Sequence, residues 1–351
     1  MEVADDQALA FRVAGHHLDR RVGASEAVAA IGLQQYPPEW GAPAALRARS
    51  LEPMPGDVIQ VNSFRGAPYV VPRRDARVFT AALVPDDPGE LKALVGAVNS
   101  KEARDEGFEV PEALELVAGA AREGLAGGPL GRDDFHQALR ERVPQGLLPW
   151  CANCKSHHVR PGFWRTLGLI EVTYMPEKAT FALAKPPRMA LAKARAELVR
   201  RFLRVFGPAT PQQLATWAQT APAHSKALFA EISDELAETG RGFVLADDVK
   251  RLESPPAAKG VRLLGGHDPW VTMPDREALV RGDTALRKRM FPAIARPGVV
   301  LVDGRIAGLW KGRKQRRLLE VSVEWLGSEA DVAEEAAALA RIRGCEEARV
   351  L

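Results

Sequence analysis

Four residues near the middle of the chain have the types and the spacing of metal ligands. Cys151 and Cys154 lie three positions apart, and His157 and His158 follow shortly after them. Two thiolates and one or two imidazoles suit a zinc ion, but a fourth ligand is evident only if both adjacent histidines bind, which their positions make difficult. A redox pair of thiols and a plain, partly buried turn are the other interpretations. The sequence leaves all three open.

Asp268, which stands directly before Pro269, is a second chemical candidate. Its carboxylate could serve a functional site, because an acidic side chain can act as a base or stabilise charge. It could equally accept hydrogen bonds from its own backbone, as Asp often does in turns. The two interpretations have equal weight.

A strongly basic segment lies near the C-terminus. The chain from 299 to 323 predicts three strands, joined first by the turn Asp303-Gly304, which suits a type I′ hairpin, and then by a loop. That loop holds five cations in seven residues: Lys311, Arg313, Lys314, Arg316 and Arg317. A solvated hairpin end is the plain alternative, but so many cations at one tip favour contact with phosphates or with a minor groove.

The net charge of +3 hides an uneven distribution, since residues 185–317 hold 25 cationic and 13 acidic side chains. A local positive field of this kind suits a polyanion. The chain has no apolar run long enough to cross a bilayer, and its acidic start lacks the features of a signal peptide. Three cysteines in 351 residues indicate a reducing compartment. We expect a cytoplasmic protein with no membrane partner.

The elements that must position these residues repeat one pattern, clearest in residues 195–245. Gly207-Pro208 ends a first helix, Thr210-Pro211 begins a second, and a third helix is predicted to extend to Leu236 before a Gly-rich turn and a strand. This is the order of a winged helix, whose third helix can enter a DNA groove. A protein-contact module is the alternative. Lys226 on that helix and Arg241 in the turn are candidate phosphate contacts.

The same order is predicted twice before, more weakly the second time, and Lys185-Pro186-Pro187 has the composition of a linker. We therefore predict an α+β protein. Its tandem winged-helix units would occupy residues 1–85, 86–187 and 188–255, and a C-terminal β-rich domain with the basic hairpin would occupy residues 256–351.

Five motifs along the chain carry a family resemblance. They are Gly32-Leu33-Gln34 before Pro37, the turn Phe64-Arg65-Gly66-Ala67-Pro68-Tyr69, Phe206-Gly207-Pro208-Ala209-Thr210, Leu263-Leu264 followed by His267-Asp268-Pro269, and Val302-Asp303-Gly304-Arg305 with Gly308-Leu309-Trp310. In this order they resemble the winged-helix DNA glycosylases related to AlkZ and YcaQ, over nearly the whole chain.

The resemblance implies tandem winged helices around a concave DNA channel and excision of N7- or N3-alkylated purines, including bulky adducts and crosslinks. It implies monofunctional chemistry without metal, Schiff base or other cofactor. The expected partner is double-stranded DNA containing alkylated purines, bound by a monomer in the bacterial cytoplasm at the nucleoid. Arg65 and Arg305, which lie in the shared motifs, join the candidate DNA contacts.

The family's catalytic signature is Gln, an apolar residue, then Gln or Asp. The matching letters here are Gln34-Gln35-Tyr36, predicted at the end of a helix, and Tyr36 departs from the pattern. Gln35 or Glu39 could take the missing role, and Asp268 is a further catalytic candidate. Alternatively, both glutamines cap the helix end. A non-enzymatic DNA-binding protein, either a regulator or a lesion binder, is therefore the second hypothesis.

Overall fold

The structure is a computed structural model that describes residues 2–185 and 189–351. Pro186 and Pro187 of the predicted linker lie outside the described residues. The chain forms two compact units. The first consists of Met1–Gly56, Arg200–Gln213 and Ser233–Leu351, and the second of Asp57–Val199 and Leu214–Ile232.

The α-helices of the described residues are α1 (Asp5–Gly15), α2 (Ala24–Ile31), α3 (Gly41–Arg47), α4 (Ala76–Phe79), α5 (Lys92–Val95), α6 (Ala97–Asp105), α7 (Val110–Gly124), α8 (Arg132–Arg140), α9 (Pro161–Leu169), α10 (Leu191–Phe206), α11 (Pro211–Ala218), α12 (Pro222–Ala230), α13 (Val249–Glu253), α14 (Glu277–Val280), α15 (Thr284–Met290) and α16 (Ala333–Ile342). None of them is both long enough and apolar enough to span a bilayer.

The β-strands are β1 (Leu33–Gln34), β2 (Val58–Asn62), β3 (Pro68–Pro72), β4 (Leu130–Gly131), β5 (Trp150–Cys151), β6 (Ser156–His157), β7 (Thr173–Tyr174), β8 (Thr180–Leu183), β9 (Leu236–Thr239), β10 (Gly242–Leu245), β11 (Val261–Leu264), β12 (Gly298–Val302), β13 (Arg305–Gln315), β14 (Leu318–Trp325) and β15 (Glu347–Val350). The mixture of helices and sheets confirms the α+β class.

The first unit is built on a five-stranded sheet in the order β11-β12-β13-β14-β15. Neighbouring strands are antiparallel, except for the parallel pair β14 and β15. Asp303 and Gly304 both have positive φ (47° and 76°), as the predicted type I′ turn requires. Trp310, Leu319 and Leu339 meet in the core between the sheet and α16, because alternate strand residues point to the same face.

A smaller core of the same unit holds α1, where Phe11 packs with Val244 of β10 and Leu252 of α13. Next to Phe11, the buried guanidinium of Arg12 donates hydrogen bonds to the backbone oxygens of Phe206 (3.0 Å), Gly207 (3.3 Å) and Pro208 (3.1 Å). The same group donates to Asp275 at 3.0 Å. Arg12 thus fixes the turn after α10.

The second unit is centred on α7, whose Val117 and Ala121 are fully buried with Phe135 of α8 and Leu167 of α9. Strands β4, β8 and β7 form a sheet in that order. From α7 to β8 the order is helix, strand, helix, the short β5–β6 hairpin, helix and hairpin. Apart from the inserted β5–β6 hairpin, this is the order expected of a winged helix. The tandem arrangement of three such units, with its boundaries, stays a prediction, because the two compact units combine segments from different predicted domains.

One predicted helix is too long. The third helix of residues 195–245 ends at Ala230, and Leu236 begins β9, which pairs antiparallel with β10. The Thr239 hydroxyl closes this hairpin, because it donates to the backbone oxygen of Gly242 (2.8 Å) and accepts from the backbone N–H of Arg241 (3.1 Å). The helical spacing from Ile232 to Leu236 was therefore misleading.

The basic segment was also predicted wrongly as a loop. Residues up to Gln315 continue β13 and pair with β14, so the turn is formed only by Arg316 and Arg317. Lys311 and Arg313 consequently point to one face of the strand and Lys314 to the other. Three of the five cations therefore lie along strand β13, and two form the turn of the hairpin.

Candidate functional site

An open pocket of about 640 Å³ in the first unit brings together aromatic and cationic side chains. We call it the aromatic pocket. Its aromatic residues are Tyr36, Trp40, His267 and Trp310, and its cationic residues are Arg296, Lys311 and Arg343. Stacking surfaces beside positive charges suit a base and its phosphates.

Tyr36 reaches this pocket because the chain leaves α2 abruptly. Gly32 ends the helix with a φ of 71°, Leu33 is buried, and Tyr36 emerges with 49% of its surface exposed. A Cβ atom on Gly41 would lie 2.4 Å from the backbone N and O of Tyr36. Only glycine therefore allows α3 to begin so close to the backbone of Tyr36. The predicted position of the glutamines at a helix end is therefore wrong: they follow the helix in an extended segment.

The two glutamines have different surroundings. The Gln35 side chain donates to the backbone oxygen of Pro38 (2.7 Å) and accepts from the backbone N–H of Ala42 (3.0 Å) in the first turn of α3. Both ends of this amide hold the loop, so Gln35 is poorly placed to orient a water molecule. Gln34 lies in β1 and is 8% exposed. Glu39 is exposed in the turn before Trp40.

Asp268 is fully buried in a two-pronged ion pair. Arg49 donates from Nη1 to Oδ2 (2.7 Å) and from Nη2 to Oδ1 (2.8 Å), and the backbone N–H of Trp270 also donates to Oδ1 (2.9 Å). A carboxylate with these partners has no access to substrate, which favours the turn interpretation. The pair ties the end of α3 to the segment that carries His267, whose ring contacts the Tyr36 ring edge-on at 4.5 Å.

The opposite wall is equally fixed. The indole N–H of Trp310 donates to the backbone oxygen of Leu264 (2.9 Å). The Arg343 guanidinium lies 5.1 Å from the centre of the Trp40 ring and donates to the backbone oxygen of Gly312 (3.1 Å). Trp40, Arg343 and Arg49 were not found as site residues from the sequence. Arg343 is 303 positions after Trp40 in the chain, so no spacing pattern could join them.

The predicted DNA contacts divide into two groups. Four of these cations are held by the protein itself. Arg65 donates to the backbone oxygen of Trp217 (2.7 Å) and to the Tyr69 hydroxyl (2.9 Å).

The other three cations of this group lie in the first unit. Arg241 bonds the backbone oxygen of Val3 (3.0 Å) and the Asp5 carboxylate. Lys314 donates to the backbone oxygen of Arg343 (2.8 Å) at the end of α16, and Arg317 pairs with Glu346. Their positive charges are thus partly committed to the fold.

The remaining candidates are exposed. Lys226 lies on α12, and Arg305 is 3.6 Å from Asp6. Within the described part of the chain, three further side chains make no hydrogen bond or ion pair: Lys311, Arg313 and Arg316. We call these three residues the hairpin cations. Lys311 also lines the aromatic pocket, so the positive surface continues from the pocket along the hairpin.

In the second unit, three of the four predicted metal ligands come together. Cys151, Cys154 and His158 offer ligand atoms within 4.8 Å of one another. His157 does not join them, because its Nδ1 lies 2.7 Å from the backbone oxygen of Leu148.

The sequence profile of the AlkZ-like DNA glycosylases matches residues 23–342. The chain therefore belongs to this family, which confirms the resemblance of the five motifs.

Two relatives from Streptomyces sahachiroi extend the comparison. The interstrand DNA cross-link repair glycosylase is 28% identical over 126 residues, which are 32% of this chain and 33% of the relative, so the match spans a third of that protein's length. The solved structure of the DNA glycosylase AlkZ superposes with a TM-score of 0.71 at 22% identity and covers 100% of both chains. The fold is therefore that of AlkZ.

Proposed function

We propose that this protein is a monofunctional DNA glycosylase that hydrolyses the N-glycosidic bond of N7- or N3-alkylated purines. Membership of the AlkZ-like family supports DNA as the substrate. The single observation that carries the lesion class is the aromatic pocket, whose lining, within the described residues, offers ring faces but no Asp or Glu to protonate a leaving base. Alkylation makes a purine cationic, so it departs without a general acid and stacks well on aromatic rings.

Gln34 is the residue we assign to the water. An amide carbonyl can accept a hydrogen bond from water and orient it, which provides part of the advantage of a positioned reactant. It cannot act as a strong base, so such a site is restricted to labile adducts. Tyr36, exposed at the pocket rim, would stack on the lesion or on the base left opposite.

The substrate range follows from the openness of the pocket. It leaves room for bulky adducts, in keeping with the crosslink repair named for the S. sahachiroi relative. We further propose that the protein acts as a monomer on double-stranded DNA in the bacterial cytoplasm, at the nucleoid. The hairpin cations and Lys226 would contact phosphates.

The decisive experiment uses duplex DNA with a single 7-methylguanine, followed by alkaline cleavage of any abasic site. We expect a strand break at the lesion with the wild type. Gln34→Ala should lower the excision rate by roughly tenfold or more, the scale of about 1.4 kcal/mol, with DNA affinity nearly unchanged. Gln35→Ala is the matched control, because its amide holds the loop before α3, and the folded variant should keep most of the activity.

A second function is favoured by one observation, the Tyr at the third position of the catalytic signature. Without the second amide or carboxylate, the protein would bind lesions and not cut them. Wild-type protein that binds 7-methylguanine DNA tightly but releases no base would support this lesion binder. Equal excision by Gln34→Ala and wild type would instead contradict the site assignment.

A further inference from the structure

The second unit contains a cluster of metal-ligand side chains that the proposed chemistry does not use. Strands β5 and β6 form a short hairpin in which Cys151 pairs with Ser156. Its turn holds Cys154 and then Lys155, whose φ of 50° reverses the chain. The turn brings both thiols to one side, where a ring nitrogen of His158 joins them within 4.8 Å. Both cysteines are free thiols.

The hydrogen bonding of His158 selects one nitrogen for a ligand. Its Nδ1 lies 2.9 Å from the backbone oxygen of Val159, so the proton belongs on Nδ1, which donates it to that oxygen. Nε2 then carries the lone pair, and this buried atom has no hydrogen-bond partner among the described residues. Metal-bound histidines have this arrangement, with one nitrogen fixed by a carbonyl and the other on the metal. A buried polar atom without a partner also requires an explanation.

The two thiols are also suited to binding a metal ion. The two sulfurs and the His158 ring offer ligand atoms that all lie within 4.8 Å of one another, so a single ion could contact all three groups. A thiolate, and not a thiol, is the form that binds metal. Two sulfurs and an imidazole favour zinc over calcium or magnesium, which prefer oxygen ligands.

The candidate for a fourth ligand is His136 on α8, whose ring centre lies 6.3 Å from that of His158. His136 is not among the three residues whose ligand atoms lie within 4.8 Å of one another, so its ring would have to move toward the ion to bind it. His157 is a poor candidate, because it is exposed and its Nδ1 is engaged with Leu148.

We propose that Cys151, Cys154 and His158 bind a zinc ion and that His136 completes its tetrahedral coordination. The ion is structural. The connection from α8 to α9 contains only a 3₁₀ turn and the β5–β6 hairpin, a hairpin too short to be stable alone. Zinc would tie this hairpin to α8 and fix the start of α9, where Arg160 pairs with Glu102 at 2.6 Å.

Metal content tests the proposal directly. The full-length protein, purified with a reductant and without chelator, should contain one zinc ion per chain by elemental analysis. Replacement of zinc by Co²⁺ should produce thiolate-to-cobalt charge transfer and the strong visible bands of a tetrahedral site. Cys151→Ser, Cys154→Ser and His158→Asn should each abolish both signals. The matched controls Cys345→Ser and His157→Asn should leave them unchanged.

The fourth ligand has its own readout. His136→Asn should weaken zinc affinity by roughly tenfold or more in a chelator competition, while excess zinc still binds. Unchanged affinity would remove His136 from the site. Wild-type protein with neither zinc nor a Co²⁺ spectrum, or with a Cys151–Cys154 disulfide under reducing conditions, would overturn the proposal. Loss of metal in His157→Asn but not in His158→Asn would overturn the ligand set.

Discussion

Replacing Asp268 by Asn separates a positioning role from a catalytic one. The substitution keeps the shape of the side chain but puts an NH₂ group in place of one carboxylate oxygen. Where Asp268 Oδ2 accepts a hydrogen bond from Arg49 Nη1 at 2.7 Å, the variant would then place one N–H donor against another. One charge-assisted hydrogen bond is lost, worth about 1.5–3 kcal/mol. The buried guanidinium also loses its counter-charge. Breaking a buried ion pair from one side costs about 3–5 kcal/mol in total, and we expect a loss of stability of this size.

Two assays follow the variant. Urea unfolding should show the midpoint shifted down, and replacing both members of the pair by apolar residues (Arg49→Met with Asp268→Leu) should recover much of the loss, since a buried pair is often matched by apolar packing. The single-turnover rate of 7-methylguanine excision, measured where the variant is still folded, should fall by less than about tenfold, because a general acid or base typically contributes 10²–10⁴-fold.

The opposite pattern would refute the reasoning. If Asp268→Asn kept full stability and lost excision by two or more orders of magnitude, the carboxylate would belong to the chemistry despite its burial. The double variant would then be equally inactive. Comparing stability with rate in the same samples makes the two roles distinguishable.

Three further outcomes are expected. Replacing the hairpin cations together by Ala should reduce the salt dependence of DNA affinity by roughly one unit of slope per lost phosphate contact. Arg317 is already paired with Glu346, so Arg317→Ala should change the slope little. An unaltered slope for the triple variant would show that the hairpin is only a solvated surface. Gln35→Ala should lower the stability of the folded protein by about 1 kcal/mol in urea unfolding, because the first turn of α3 loses its cap; no change would show that the contact is dispensable. Burial, together with the nearby cation Arg49, lowers the pKa of His16 well below its usual value, so the folded state binds fewer protons than the unfolded state, and stability should fall as the pH drops below about 6.5. His16→Leu should flatten this dependence, and a pH profile equal to that of the wild type would contradict the assignment.

The sequence determined the family, the α+β class and much of the local structure. Five short motifs in a fixed order sufficed for the family, because each marks a turn or strand that local chemistry specifies. The type I′ turn at Asp303-Gly304 and the cluster of Cys151 and Cys154 are of this kind: the interacting residues are close in the chain, and backbone preference alone places them. Helix ends depend on residues further away in the chain. The spacing from Ile232 to Leu236 fits a helix, but Leu236 pairs with β10 as the first residue of β9.

Tertiary structure decided which candidate residues are available for function. The sequence does not distinguish Asp268, Arg65 and Arg241 from residues that bind a ligand. In the structure, each of them is held by a partner within its own unit. Such long-range pairs leave no trace in local spacing. The aromatic pocket is likewise a product of folding, because Trp40 and Arg343 meet only when α16 packs against the sheet. A single sequence records the types of side chain that could act. The partners that hold each side chain, or leave it exposed, are fixed only when distant segments pack together.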